Sequence, residues 1–454
     1  MVAGAYYRRG DSLEFQTQII DAAAERLVRA VAPVTTAGPA TGAVLDSLRR
    51  RVVVAVAAVL DRRLSPSAAA SRPPSLEAYR AYVRGHRAFY GDDASNMREA
   101  LEFMSRAVAL DSTFPDPRFF LIMAHLNLGE MRAADSNATV LLQSAPRLTP
   151  YQRATLDWMV ASIRGDRAGA LRAARARGGV WDLAVEALYA NRPHETIEIL
   201  RGRDGLALPE FYFKWHSLME ALHMVGDHAS ELREARRAAE VHPGQLLFLR
   251  DELQALAALG RVADVDETLD RRLPTSLPYW DLADLTLSAA AELRAHGHRD
   301  AGRRLAERLV ERLDFQRHGE ADAMPLRWQR AMARYAAERW DDARGLFDSL
   351  SAATPRDVNV RGYRGVLAAR LGNREEARRI SDELEGLADP YDHGRDVYWQ
   401  ACIAAQLGER DRAMALLREA YRRGRRFGIL LHRDMDLEPL RGYAPFEEFL
   451  APAG

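Results

Sequence analysis

The chain has 454 residues, and its 64 basic and 64 acidic side chains cancel to a formal net charge of zero, which excludes the strongly basic surface of a nucleic-acid-binding protein. Its 48% hydrophobic and 28% charged residues are typical of a folded protein, and its one cysteine, Cys402, excludes an internal disulfide. It has neither an apolar run long enough for a membrane helix nor the apolar stretch of a signal peptide, so the sequence as written predicts a cytoplasmic protein without a membrane span.

Residues 1–64 are predicted to form a small α/β domain. Apolar and β-branched residues alternate over three predicted antiparallel strands, with a turn at Gly10 between the first two: residues 2–7, 13–20 and 27–34. A helix over 43–60 follows, and residues 65–74 form a Pro/Ser/Ala linker. Because three strands with one helix are marginally stable, we expect this region to be the back half of a larger α/β domain.

Residues 75–450 are predicted to be a helical repeat array. A glycine or a substitute for it recurs about every 34 residues, and in the clearest cases an alanine follows it five positions later. The clearest pairs are Gly129/Ala134, Gly165/Ala170, Gly372/Ala377 and Gly408/Ala413; Asn191, Gly226, Gly260, Gly297 and Glu338 keep the same phase, and Ser95/Ala100 starts the series. The glycine allows a tight turn between antiparallel helices, and the small residue allows their axes to approach.

Proline and glycine clusters divide this array into ten predicted helical hairpins. Their approximate limits are 75–115, 116–149, 150–180, 181–206, 209–243, 245–275, 279–318, 324–355, 357–389 and 393–424, and a tail at 437–446 closes the array. Each hairpin of such an array contacts mainly its neighbours, so a chain that ends after Pro355 is expected to stay folded.

The repeat resembles the tetratricopeptide repeat (TPR). With the turn residue at position 15 of the repeat, one unit carries all of the pattern: Glu338, Ala343, Phe347, Leu350 and Pro355. The resemblance covers about 350 residues and rests on the common register of the ten units. It implies a right-handed α-α superhelical solenoid, preceded here by the partial α/β domain, that binds a protein or peptide segment in its concave groove.

Residues 1–64 resemble the C-terminal half of the TolB-like, FlgO-type N-terminal domain. The likeness lies in Tyr6-Tyr-Arg-Arg-Gly-Asp11, in Phe15-Gln-Thr-Gln-Ile-Ile-Asp-Ala22 and in the helix over 45–60. Relatives of this layout are the C-terminal regions of bacterial TPR-containing serine/threonine kinases or adenylate cyclases. The resemblance therefore implies an alternative function, the sensory or docking region of a signalling protein whose kinase or cyclase domain is not in this chain. A membrane-anchored relative would place this region outside the cytoplasm.

The TPR resemblance also indicates which side chains line the groove, because positions 2, 5, 9 and 12 of each first helix face it. These positions carry the expected partner-binding residues: Phe119, Trp181, His216, Arg250, Trp328, Tyr363 and Tyr398 at position 5, His223, Arg294, Tyr335 and Arg370 at position 12, and Arg395 at position 2. Tyr, Trp and Arg concentrate binding energy at interfaces. A shift of one residue in register would instead place the same aromatics in the core.

Two patterns resemble chemical sites, and we assign a reaction to neither. His216, Glu220 and His223 share one helical face and could face a metal, but the same unit offers too few further ligands. His432-Arg433-Asp434 matches the start of a kinase catalytic loop, yet Pro439 occupies the place of its metal-binding asparagine. The dense basic run at 422–426 ends a helix, where arginine complements the helix dipole. The sequence therefore predicts a non-enzymatic scaffold without a cofactor or metal.

Overall fold

The computed structural model describes residues 1–22, 26–37, 42–60, 74–90, 94–144, 146, 148–201, 212–273, 277–315 and 324–453, so that nearly all of the predicted linker at 65–74 lies outside the described residues. The chain forms two compact units, Met1–Ile163 and Arg164–Gly454, which we call the first and the second unit. A domain boundary between residues 64 and 75 stays a prediction.

The first unit begins with the predicted sheet. Strands β1 (Val2–Arg9), β2 (Ser12–Asp21) and β3 (Arg26–Ala37) pair antiparallel in the order β1-β2-β3. Helix α1 (Gly42–Leu60) packs on β2 and β3, and Ile19, Val31 and Ala55 form the buried core between helix and sheet. The predicted three strands and one helix are confirmed, because the apolar alternation of the strands matches the period of a pleated sheet.

Five further helices complete the first unit: α2 (Leu76–Phe89), α3 (Ala94–Leu110), α4 (Asp116–Asn127), α5 (Met131–Gln143) and α6 (Pro150–Arg164, which ends at the unit boundary). Helices α2 and α3 pack as one pair, and α4 and α5 as the next. Ser75 caps α2 by accepting a hydrogen bond from the backbone of Ala78. Tyr82, Phe114 and Leu121 belong to the buried cluster that joins the two pairs.

Asp116 gives the first unit a dependence on pH. The side chain is buried, its Oδ2 atom accepts no hydrogen bond, and burial raises the pKa to about 7 against a smaller opposing effect of Gln152. The unfolded carboxyl titrates near 3.8. Between these values the folded protein retains a proton that the unfolded chain has released, so the stability of the first unit falls as the pH rises.

We therefore expect Asp116→Asn to stabilise the first unit by on the order of 2 kcal/mol at pH 8, after allowance for relaxation around the charge, and to have little effect at pH 4. Hydrogen exchange of the α4 amides in the full chain, measured at both pH values, reports the difference. The same gain at pH 4 as at pH 8 would contradict the role of the buried charge.

The second unit is helical throughout its described residues. Its helices are α7 (Arg167–Arg177), α8 (Val180–Tyr189), α9 (Pro193–Arg201), α10 (Tyr212–Met224), α11 (His228–Val241), α12 (Leu246–Ala258), α13 (Val262–Arg271), α14 (Tyr279–Ala295), α15 (Arg299–Phe315), α16 (Met324–Ala336), α17 (Trp340–Ala353), α18 (Val358–Arg370), α19 (Arg374–Glu385), α20 (Arg395–Gln406), α21 (Arg410–Arg422), α22 (Ile429–Arg433) and α23 (Ala444–Leu450). Helices α2–α21 follow one another at the limits predicted for the ten hairpins, with α6 and α7 on either side of the unit boundary.

The helices of the second unit stack in the order of the chain. The first helix of a pair contacts its partner and the first helix of the next pair, as α14 contacts α15 and α16 and as α18 contacts α19 and α20. The second helix of a pair also contacts the next first helix, as α17 contacts α18. This nearest-neighbour stacking is that of an α solenoid, and the predicted fold class, mainly α with a small sheet at the N-terminus, is confirmed.

The turn residues that set the predicted phase take left-handed backbone conformations. Positive φ angles occur at Gly129, Gly165, Asn191, Gly226, Gly260, Gly297, Glu338, Gly372 and Gly408. The residues five positions later are buried wherever the structure gives their exposure, including Ala134, Ala343 and Ala377. Ser95 is different: it lies in the first turn of α3 and not in a left-handed turn. The spacing thus located nine of the ten turns.

Among the described residues, none of the helices combines the length and the apolar character that are needed to cross a bilayer.

Candidate functional site

The first helices of the second unit form one face, which we call the inner face: α8, α10, α12, α14, α16, α18 and α20. Residues 424–453, which we call the C-terminal segment, lie against it. Backbone hydrogen bonds attach the segment at both ends: Phe427 N donates to Tyr189 O at 3.2 Å, and Ala453 N donates to Asn191 O at 2.7 Å. Between them α22 contacts α10 and α14, and the 3-10 turn Glu438–Leu440 contacts α20.

The two ends of the second unit also meet. Arg167 Nε, at the start of α7, donates to Gly424 O at 3.0 Å. Gly165 lies so close to the end of α21 that a Cβ atom there would be 2.7 Å from Arg423 O. Only glycine fits at this position, since it combines positive φ with a close backbone approach. The stack of helices is therefore closed by contact between its first and last turns.

Three carboxylates at alternate positions of the C-terminal segment are bound by the inner face. Asp434 accepts a hydrogen bond from the Tyr398 hydroxyl. Asp436 accepts one from the Tyr335 hydroxyl and another from Arg370 Nη2 at 2.9 Å. Asp436, Tyr335 and Tyr398 are buried, Arg370 is largely buried and Asp434 is half-buried. A buried carboxylate is tolerated only when charged or hydrogen-bonding partners surround it.

The third carboxylate, Glu438, pairs with Arg294. Arg294 Nη2 donates to Glu438 Oε2 at 2.7 Å, and the same guanidinium contacts Glu338 at the turn between α16 and α17. Glu338 is itself held by Arg299 at 2.7 Å. Burial alone would lower the pKa of Arg294, but the two carboxylates raise it, so the arginine stays charged.

Burial and the neighbouring Asp436 raise the pKa of Asp434. The Tyr398 phenol is likewise buried, which raises its pKa well above the usual value. The Arg425 guanidinium also stacks on the Tyr398 ring, and its central carbon lies 3.6 Å from the ring centroid. Asp434 is therefore held by a hydrogen bond from a phenol, whereas Asp436 and Glu438 are held by charged arginines.

Apolar side chains of the segment fill the space between these polar contacts. Leu431, Leu437, Leu440 and Phe446 are buried in the same cluster as Tyr335, Val397 and Cys402. The segment consequently presents both leucines and carboxylates to the inner face, in the order Leu-His-Arg-Asp-Met-Asp-Leu-Glu-Pro-Leu from Leu431 to Leu440.

The structure brings four of the predicted groove residues into contact with the segment: Arg294, Tyr335, Arg370 and Tyr398. Trp328 and Tyr363 lie beside them, packed with Phe347 in an aromatic cluster of the core. Tyr335 and Tyr398 contact the segment and also belong to the same buried cluster as Phe347, so groove and core positions are not separated by residue. Whether this face binds a partner stays a prediction.

The other predicted groove residues make different contacts. His216 pairs with Asp251 at 3.0 Å, Arg250 with Asp284 at 3.3 Å, and Arg395 with Asp392 at 3.9 Å. Trp181 is half-buried on α8, and Phe119 is buried on α4 in the first unit. His216, Glu220 and His223 share a helix face as predicted but do not converge: Glu220 accepts a hydrogen bond from Ile429 N at 3.1 Å.

His223 belongs to a different group, which the helical period did not reveal. Its Nδ1 atom lies 3.0 Å from Glu231 on α11, and its Nε2 atom lies 3.3 Å from Glu292 on α14. His228 and His296 contact the same two carboxylates. Burial acts to lower the pKa of His223, but the two carboxylates dominate and raise it to about 10.

The sequence interpretation also missed the acidic residues of the segment. Asp434 was considered only within the His-Arg-Asp pattern, and Glu438 only as part of the closing tail. The basic run at 422–426 is divided between two roles: Arg423 pairs with Glu419 at the end of α21, as expected, whereas Arg425 and Arg426 stack on Tyr398 and Tyr189. The alternation Asp434-Met-Asp-Leu-Glu438 was the available signal.

No protein-family model and no curated protein matches the chain. Among solved structures, the chain is similar to a tetratricopeptide repeat protein from Parabacteroides merdae ATCC 43184, with 14% identity, a TM-score of 0.31, and coverage of 64% of this chain and 98% of that chain. It is similar to MamA of AMB-1, with 21% identity, a TM-score of 0.23, and coverage of 38% and 96%.

A third similar structure is Naa15/Naa10 bound to HypK-THB, with 13% identity, a TM-score of 0.26, and coverage of 75% of this chain and 62% of that chain. Because these identities and TM-scores are low, we assign the repeat architecture from the helix pairs and the left-handed turns of the chain itself.

Proposed function

We propose that the chain is a protein-interaction scaffold whose inner face binds an extended acidic segment of a partner protein. The observation that carries the proposal is the binding of Asp434, Asp436 and Glu438 by Tyr398, by Tyr335 with Arg370, and by Arg294. The chain's own C-terminal segment is then the ligand in cis, and a partner segment of the same pattern exchanges with it.

The chemistry of the face defines the partner. A neutral segment would leave the buried Arg370 guanidinium without its carboxylate and Arg294 with Glu338 alone. Truncating one member of a buried charge pair typically costs about 2–5 kcal/mol. One leucine-sized side chain between the carboxylates and another after the last of them fill the sites of Leu437 and Leu440. The expected partner thus offers alternating acidic and aliphatic residues.

A reaction at this face is disfavoured by the state of its side chains. Burial, followed by the charges of Asp434 and Asp436, raises the pKa of the Cys402 thiol well above its usual value, whereas reactive cysteines have lowered pKa values. Burial similarly raises the pKa of the Tyr335 and Tyr363 phenols. A sensory or docking region of a signalling protein, the alternative implied by the resemblance, would use the same face.

The test is an exchange experiment with the full chain. A protease site inserted between Arg425 and Arg426 allows the backbone to be cut after the chain has folded, so that residues 426–454 are held only by non-covalent contacts. A fluorescent peptide of residues 426–454 is then added. We expect the peptide to bind the cleaved protein with an affinity that falls as salt is added, because the contact is charge-assisted. A peptide with Asp434→Asn, Asp436→Asn and Glu438→Gln should bind about 100-fold more weakly or worse.

The control peptide carries Glu447→Gln and Glu448→Gln, which remove exposed carboxylates from the same segment. It should bind like the unmodified peptide. Failure of the cleaved protein to exchange its segment over days, or equal affinity for the neutral peptide, would show that the segment is a permanent part of the fold and would refute the proposal.

A further inference from the structure

Three histidines and two glutamates from separate hairpins of the second unit meet beside the inner face. His223 ends α10, His228 and Glu231 begin α11, and Glu292 and His296 lie at the end of α14. The three imidazole centroids are 4.6 to 5.8 Å apart. Both glutamates are at most 1% exposed, and carboxylates buried to this extent require compensating positive charge, part of which comes from Arg433 beside Glu292.

Three atoms of this cluster have the spacing of metal ligands. Glu292 Oε2 lies 3.3 Å from His223 Nε2 and 3.6 Å from His296 Nε2, and all three atoms lie within 4.8 Å of one another. In a tetrahedral zinc site with bonds of 2.0–2.1 Å, ligand atoms are about 3.3 Å apart. Glu292 Oε2 is buried and accepts no hydrogen bond of normal geometry, and its polar neighbours are these two histidine nitrogens.

The remaining contacts orient these ligands as outer-shell groups do in metal proteins. The other oxygen of Glu292 accepts a hydrogen bond from Arg433 Nη1 at 3.2 Å, which fixes the carboxylate. The Nδ1 atom of His223 lies 3.0 Å from Glu231, and His228 Nδ1 lies 3.1 Å from the same carboxylate. A carboxylate behind a histidine fixes the tautomer that leaves Nε2 free for the metal.

We infer that His223, Glu292 and His296 bind one divalent transition-metal ion, of the zinc class, with Glu231 and His228 as positioning residues. Two imidazoles and one carboxylate suit zinc and leave a coordination position free. The side chain of His296 is partly exposed, so the ion has a route from solvent. This inference departs from the expectation of no metal, which considered His216 and Glu220 in place of Glu292 and His296.

The test uses the full chain, stripped with a chelator and titrated with Zn²⁺, and with Co²⁺ as a spectroscopic probe of coordination geometry. We expect one ion per chain, the visible spectrum of tetrahedral Co²⁺, and a higher unfolding midpoint with Zn²⁺. His296→Ala, at a partly exposed position that should not disturb folding, is expected to weaken binding by about 100-fold or more. Glu231→Gln should weaken it roughly 10- to 100-fold and change the Co²⁺ spectrum.

The matched control is His298→Ala, which removes an exposed histidine two residues away that belongs to no ligand group. It should bind zinc like the wild type. The inference is overturned if the wild-type chain binds no stoichiometric ion, if His296→Ala binds zinc as tightly as the wild type, or if His298→Ala loses as much affinity. In those cases the charge of the two carboxylates is offset by a proton on His223 and not by a metal ion. Metal content is measured without any peptide, so this result is independent of the exchange experiment.

Discussion

Asp436→Ala is expected to destabilise the second unit by about 3–5 kcal/mol, the typical effect of removing one partner from a buried ion pair. Asp436 is only 3% exposed and holds both the Arg370 guanidinium and the Tyr335 hydroxyl. Without it the arginine remains charged in a buried site, where only the Met435 carbonyl still accepts a hydrogen bond from its Nη2 atom. Urea unfolding followed by tryptophan fluorescence measures the loss.

Asp411→Ala provides the matched control for this prediction. Asp411 also accepts a hydrogen bond from a tyrosine, Tyr443, but both residues lie at the surface. This variant is expected to leave the unfolding midpoint nearly unchanged, since water replaces the lost contact. If the two aspartate variants lowered the midpoint equally, burial could not be the source of the effect.

Two glycine-to-alanine substitutions in neighbouring helices are expected to change stability in opposite directions. At Gly362 in α18, a Cβ atom would lie 2.0 Å from the Trp399 ring, so the helix and the indole must separate. We expect Gly362→Ala to cost 3 kcal/mol or more, at or above the upper end of the roughly 1–3 kcal/mol typical of overpacking.

At Gly345 in α17, a Cβ atom would meet no atom within 4 Å. Gly345→Ala should therefore stabilise the protein by roughly 0.5–1 kcal/mol, since alanine loses less backbone entropy in a helix. Thermal unfolding of the two variants beside the wild type provides the measurement. A stabilised Gly362→Ala variant would mean that α18 and α20 do not approach as closely as the structure places them.

The sequence predicted the helix pairs well because their determinants are local. A left-handed turn recurs at this spacing whether the turn residue is glycine, Asn191 or Glu338, so the spacing located the turns even where glycine is absent. Ser95 kept the phase without forming such a turn, since its neighbour Ala94 already begins α3. Spacing locates a hairpin but does not fix where its second helix begins.

The candidate sites depend on contacts that no single helix encodes. Positions 5 and 12 of the first helices include Tyr398, Tyr335, Arg370 and Arg294, which all contact the C-terminal segment, while their role as partner-binding residues stays a prediction. The segment itself follows α21, outside the repeat. The cluster around Glu292 draws its members from three helices over 74 residues, from His223 to His296. A period of 3.6 residues carries no information about such distant neighbours.

The contact between the two ends of the second unit changes how this part of the chain can fold. Arg167 bonds to a residue 257 positions away, and Asn191 to one 260 positions away. Contacts of such sequence separation slow folding, because the loop must close before it is stabilised. Until the C-terminal segment is in place, Arg370 lacks Asp436 and Arg294 is paired with Glu338 alone. A chain that ends after Pro355 would lack α18, α20 and the C-terminal segment, so it would also lose this contact. That such a chain stays folded, as expected of an open array, remains a prediction.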